Sequence, residues 1–171
     1  MFLHSRHFTR RVAIASATAL LTGGAAAGAA WATTTAAAPA GPPTCTVSDL
    51  YVSMGRKEGA AGSLYWPIRF TNTGTSGCAL RGYPGVSVLD AAHHQMGAAA
   101  TRTGGAVSTV TLAPAHSASA VIRTTNGPVV GTCQATGTYL RVYPPASRTA
   151  VLVPAGWKVC SGTFRVAPVT R

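Results

Sequence analysis

From Leu64 to Asn72 the side chains alternate strictly in character. Leu64, Trp66, Ile68 and Phe70 fall on one side, and Tyr65, Pro67, Arg69 and Thr71 fall on the other. An extended chain turns successive side chains to opposite faces, so this pattern predicts a half-buried antiparallel strand. Pro67 has no amide hydrogen to give a neighbouring strand, which predicts an edge position or a bulge there. Shorter apolar runs predict further strands over Thr46–Ser53, Cys78–Arg81, Val86–Leu89, Val107–Leu112, Ala118–Thr124, Tyr139–Tyr143, Ala150–Val153 and Thr163–Val166. Gly, Pro and Asn punctuate the intervals, at Gly59–Gly62, Asn72–Gly77, Pro84-Gly85, Gly104-Gly105, Pro114, Asn126–Pro128, Pro144-Pro145 and Pro154–Gly156. No segment beyond residue 32 sustains a helical period. Short strands at regular spacing predict an all-β fold, an immunoglobulin-like antiparallel β-sandwich, with a small β-barrel as the alternative.

The N-terminal pattern is of another kind. Met1–Arg11 carries Arg6, Arg10 and Arg11 and no acid, and an apolar run then opens at Val12. Small residues follow up to Ala30-Trp31-Ala32. That order is a secretory signal peptide over residues 1–32, cleaved near Thr33. Its apolar core is short, alanine-rich and broken at Gly23-Gly24, so no stable membrane span is expected after cleavage. Thr9-Arg10-Arg11-Val12-Ala13-Ile14 approximates a twin-arginine signal, but Ala13 replaces the usual bulky apolar residue, and the general secretory route stays open. Pro42-Pro43-Thr44 before Cys45 does not fit lipid attachment. Residues 33–44, rich in Thr, Ala and Pro, read as an extended linker. Residues 45–171 then form a single sandwich domain of about 125 residues.

Four cysteines, Cys45, Cys78, Cys133 and Cys160, frame that domain. An even number of thiols behind an export signal predicts disulfides and an oxidising destination, secreted or associated with the cell envelope. Three pairings are possible. The favoured one joins Cys45 to Cys78 and Cys133 to Cys160, closing loops of about thirty residues that each stabilise by roughly 3–4 kcal/mol in the chain-entropy model.

Charge changes the picture less than its size suggests. The 171 residues hold 14 Lys and Arg against 3 Asp and Glu, a net charge of +11. Such a surface attracts polyanions. Beyond Arg56-Lys57 the cations of the domain are scattered singly, and no nucleic-acid-binding motif accompanies them, so nucleic acid is not an expected partner.

Catalytic constellations are hard to assemble from this composition. Glycoside cleavage needs two carboxylates about one bond, and only Asp49, Glu58 and Asp90 are present. No Gly-x-Ser-x-Gly elbow occurs, and His93, His94 and His116 have no evident carboxylate partner for a triad. Paired thiols exclude a cysteine nucleophile, and Cys-x-x-Cys is absent. Asp90–Met96 gathers carboxylate, imidazole and thioether donors. Adjacent His93 and His94 point apart on extended chain, so a polar hairpin with Met96 returning to the core is expected, not a metal site.

Several motifs together carry a family resemblance. They are Phe70-Thr71-Asn72-Thr73-Gly74, Cys78-Ala79-Leu80-Arg81-Gly82-Tyr83-Pro84-Gly85-Val86, Leu112-Ala113-Pro114 and Leu140-Arg141-Val142-Tyr143-Pro144-Pro145, set between Cys45 and Cys160. The chain resembles the actinobacterial exported family called domain of unknown function 4232, over Cys45 to Val169. The resemblance implies an extracytoplasmic β-sandwich with no established catalytic activity and no catalytic residues to carry over. One departure is visible: Ala115 stands where the family commonly has glycine after Leu112-Ala113-Pro114, which puts the turn geometry there in question. Without the family, Asn72 and Gly74 read as turn residues tolerant of left-handed backbone. Tyr83–Val86 reads as a tight corner whose tyrosine hydroxyl reaches a backbone group.

The expectation is therefore an exported, non-enzymatic β-sandwich protein of the cell envelope or extracellular space, without a cofactor. The alternative is a recognition module for cell-wall glycan or another anionic surface polymer. Its contacts would be Tyr51, Tyr65, Trp157, Arg69 and Arg141. A cell-wall polymer or another envelope protein is the expected partner.

Overall fold

The computed structural model describes residues 41–171. The predicted signal peptide and residues 33–40 of the predicted linker lie outside the described residues. A short 3-10 turn, Val47–Asp49, leads into β1 (Leu50–Met54). Then follow β2 (Glu58–Ala60), β3 (Ser63–Asn72), β4 (Cys78–Arg81), β5 (Gly85–Leu89) and β6 (Thr101–Arg102). The remaining strands are β7 (Thr109–Leu112), β8 (Ser117–Thr125), β9 (Tyr139–Tyr143), β10 (Val151–Pro154) and β11 (Arg165–Val166).

These strands make three sheets. The largest runs β1-β3-β8-β11-β6, with β2 also on β3; the others are β10-β9-β5 and β4-β7. Every pairing is antiparallel except β11 with β6. The fold is all-β with packed sheets and no closed barrel, so the sandwich expectation holds and the barrel alternative does not. β4 and β9 span the residues expected of them. The run expected from Thr46 begins instead with the 3-10 turn, where Asp49 accepts from the Thr46 hydroxyl at 2.6 Å and the Thr46 amide at 2.8 Å. β2 and β6 escape prediction because they are only three and two residues long and carry no buried side chain. Pro43 and Thr44, at the end of the predicted linker, lie along β4, where Pro43 accepts from the Ala79 amide at 2.8 Å.

Pro67 illustrates how the best strand solves its own defect. β3 is an interior strand, flanked by β8 on one side and by β1 and β2 on the other. Met54 faces Ile68 and Glu58 faces Tyr65, so three residues on the β1–β2 side oppose two on β3. That one-residue excess is a bulge, as the proline implied. Gly55 donates to the Pro67 carbonyl at 2.8 Å, but the proline cannot donate in return. The Trp66 indole N–H fills the gap, donating to the Gly55 carbonyl at 2.6 Å.

The core forms where the alternating faces of the sheets meet. Along β8 the buried positions are Ala118, Ala120, Ile122 and Thr124. Ala118 lies opposite Phe70 and Ala120 opposite Ile68, so small side chains stand beside large ones. Leu140 and Val142 of β9 and Val86 and Val88 of β5 supply buried side chains from the three-stranded sheet. The disulfides are Cys45–Cys78 and Cys133–Cys160, the favoured pairing. The second is tied to the large sheet, because the Cys160 amide donates to the buried Thr124 hydroxyl at 2.9 Å.

Candidate functional site

Strand register decides which side chains share a surface, since directly opposed residues project to the same face. On the outer face of the large sheet, one row crosses five strands: Glu58, Tyr65, Arg123, Arg165 and Thr101. A second row holds Ser53, Arg69 and Ser119, and a third holds Tyr51, Thr71 and Ser117. The face is thus built of tyrosine, arginine and hydroxyl side chains, and Glu58 is its one carboxylate among these rows.

Arg123 is held in place from two sides. Its Nε donates to the Ser63 hydroxyl at 3.0 Å, and its guanidinium carbon stands 5.7 Å from the centre of the Tyr65 ring. That contact orients the cation and leaves both terminal nitrogens for an incoming acceptor. The Thr71 and Ser117 hydroxyls share a hydrogen bond of 2.8 Å across the same face. No arginine of this face has an ion-pair partner among the described residues, where the single close acid–base contact is His94 with Asp90 at 3.5 Å.

Of the five expected contacts, Tyr51, Tyr65 and Arg69 come together on this face. Arg141 does not. It projects from β9 on the three-stranded sheet, opposite Ser87 and Leu152, with a terminal nitrogen 3.5 Å from the His93 carbonyl. Trp157 corrects the expectation outright: it is fully buried, at 0% exposure, and unavailable to a ligand. Pro154–Gly156 reads as a surface turn, but the chain beyond β10 stays bonded to residues 137–138. Ala155 donates to Thr138 at 3.0 Å and Gly137 to Trp157 at 2.9 Å. The indole therefore packs inward between Trp66, at 5.9 Å, and Phe164, at 6.2 Å. The Lys57 ammonium caps this cluster, 4.0 Å from the Trp66 centroid, and donates to Gly156 at 3.2 Å.

Arg123 and Arg165 are the residues that the sequence reading missed. Arg123 falls out of phase with Ala118, Ala120 and Ile122, which marks it as outward-facing. Nothing local says which strands lie beside it.

The Asp90–Met96 segment is a polar turn. Asp90 Oδ1 accepts from the Ala92 and His94 amides, each at 2.9 Å, while Met96 packs against the core. The His94 amide, foremost, holds the Asp90 carboxyl below its ordinary range; desolvation, next in size, opposes it, and the Ala92 amide and the nearby His94 ring add to the lowering. The His93 ring turns away to meet Tyr139 edge-on at 4.9 Å. His116 belongs to a separate turn, beside the Pro114 carbonyl. Among the described residues no group of three or more His, Cys, Asp or Glu side chains is placed to hold a metal ion. No helix of the described residues is long and apolar enough to cross a membrane.

These elements define a class: an all-β domain of packed sheets stapled by two disulfides, as suits an oxidising compartment. Residues 45–170 match the family model of the Domain of unknown function (DUF4232), and the chain belongs to that family. No curated protein matches it.

Proposed function

We propose that this chain is an exported, non-enzymatic protein of the cell envelope or extracellular space. In this reading it recognises an anionic surface polymer, such as a charged cell-wall glycan, through the outer face of its large sheet. The observation that carries the reading is the row Tyr65–Arg123–Arg165, with Arg69 and Tyr51 beside it and a single carboxylate at its end. Guanidinium groups meet carboxylate or phosphate oxygens in a planar, two-pronged fashion, and tyrosine rings stack on sugar faces while their hydroxyls stay wet. Hydroxyls of Ser53 and Ser119 add neutral donors on the same face. The non-enzymatic part of the reading is supported by the dispersal of the acids: Asp49 in the 3-10 turn, Glu58 in β2 and Asp90 in the turn after β5. Export is supported by the disulfides and the N-terminal sequence pattern.

Co-sedimentation with purified wall material tests binding. The disulfide-bonded protein is expected in the pellet at low salt and in the supernatant as salt rises, because exposed charges are screened. Arg123→Ala with Arg165→Ala should shift that release to lower salt. A protein that stays in the supernatant at low salt refutes the reading. Cell fractionation with N-terminal sequencing tests export, the expected mature end being near Thr33.

A further inference from the structure

Two of the open sheet edges, those of β1 and β10, lie side by side. Residues 96–100 run along β5, with Met96 donating to Val88 and Ala100 to Val86, each at 2.8 Å. Pro43–Cys45 covers β4 in the same way. β1 and β10 instead terminate their sheets with no backbone partner on the outer side among the described residues. Gly55 donates to Pro67, and Asp49 accepts from Thr73, so the odd-numbered residues of this segment face β3. The amides and carbonyls of Leu50, Val52 and Met54 therefore point outward. β1 carries none of the charges or prolines that usually protect a sheet edge.

A groove of about 490 Å3 separates the two edges. Leu50, Val52, Val151 and Val153 form its apolar floor, and Tyr51 and Leu152, exposed by 62% and 43%, stand at its rims. Ser53 faces Arg69 and Leu152 faces Arg141, so one arginine rises a single strand in from each edge. The four strands β1, β3, β9 and β10 carry these two arginines and no acid.

We infer that this seam is a strand-docking site for an extended, acidic segment of a protein partner. A docked strand hydrogen-bonds to the outward amides of β1 and alternates its own side chains between two environments. One set lands on the apolar floor, and the other projects outward between Arg69 and Arg141, where carboxylates are favoured. A second copy of this chain brings the same arginines and no acid, so charge disfavours it as the occupant. A glycan lacks the regular amide row that the edge offers to match. The seam shares Tyr51 and Arg69 with the margin of the polymer-binding face, whereas the Tyr65–Arg123–Arg165 row lies further across the large sheet.

The test uses an end-capped eight-residue peptide of alternating valine and glutamate as probe, with a valine–lysine peptide as control, against isotope-labelled protein. Saturating glutamate peptide should slow amide exchange at Leu50, Val52 and Met54 by tenfold or more, and added salt should weaken binding. Leu152→Glu and, separately, Arg141→Glu should each weaken binding at least tenfold while retention on wall material is unchanged. Arg123→Ala should do the reverse. Equal binding of the lysine peptide, unchanged exchange at those three amides with millimolar glutamate peptide, or self-association through this edge would each overturn the assignment.

Discussion

The side-chain amide of Asn72 donates to the main-chain carbonyl of Leu112, forty residues further along the chain, at 3.0 Å. The same nitrogen donates to Ser76 at 2.9 Å, and the side-chain oxygen accepts from the Gly74 amide at 2.9 Å. Its own backbone accepts from Ala115 at 2.8 Å and donates to His116 at 2.9 Å. One wholly buried residue thus joins the end of β3, the turn into β4 and the turn after β7. Its value to the fold lies in its side chain, not in the left-handed backbone that its place in a Thr-Asn-Thr-Gly run suggests.

Asn72→Ala strips two carbonyls and one amide of their partner. It should cost about 2–4 kcal/mol, as expected for a broken buried polar network. Urea unfolding with an unchanged slope and a lowered midpoint is the expected observation. An unaltered midpoint would show that water replaces the amide at no cost.

Ala115 takes φ +65°, in the left-handed region that disfavours a β-carbon. The turn takes left-handed geometry on an alanine, where glycine would carry no β-carbon penalty. Ala115→Gly should therefore stabilise the protein by about 0.5 kcal/mol, since relief of strain exceeds the added freedom of the unfolded chain. Ala113→Gly, two residues earlier and without a positive φ, should destabilise by a similar amount. Thermal midpoints that move in the same direction for both variants would contradict this account.

The neighbouring indoles predict unequal responses to the same substitution. Trp66 donates to Gly55 in place of the missing Pro67 amide, whereas the buried Trp157 Nε1 has no partner. Trp66→Phe should cost about 1–2 kcal/mol in lost hydrogen bonding and packing. Trp157→Phe removes an orphan donor whose burial is itself unfavourable, so its loss of volume is partly offset. Denaturant midpoints should place Trp157→Phe nearer the parent protein, and the reverse order would be decisive against this reading.

Asp90 makes the acid stability of its turn titrate. Two amides and His94 lower its folded pKa below the ordinary value of 3.8. A depressed acid stabilises above the unfolded value, and that contribution is lost as pH falls through the folded value. The thermal midpoint of Asp90→Ala should lie below that of the parent at pH 6 and converge on it as pH falls below about 4. A gap that persists at the lowest pH would locate the role of Asp90 elsewhere.

Local chemistry alone foretold much of this protein. The two-residue period of Leu64–Asn72 and Ala118–Thr124 marked strands with one buried face, because extended chain enforces that alternation. Gly, Pro and Asn marked most of the turns, and an even set of cysteines behind a predicted export signal foretold the disulfides. Pro67 even announced its bulge. Other features depended on residues distant in sequence. Glu58–Ala60 is a strand only because β3 lies beside it, and Trp157 is buried only because Trp66 and Phe164 close around it. Tyr65, Arg123 and Arg165 form a row because β3, β8 and β11 pair in one particular register. Alternation assigns a side chain to a face, but core packing chooses the neighbouring strand, and that choice assembled the tyrosine–arginine face.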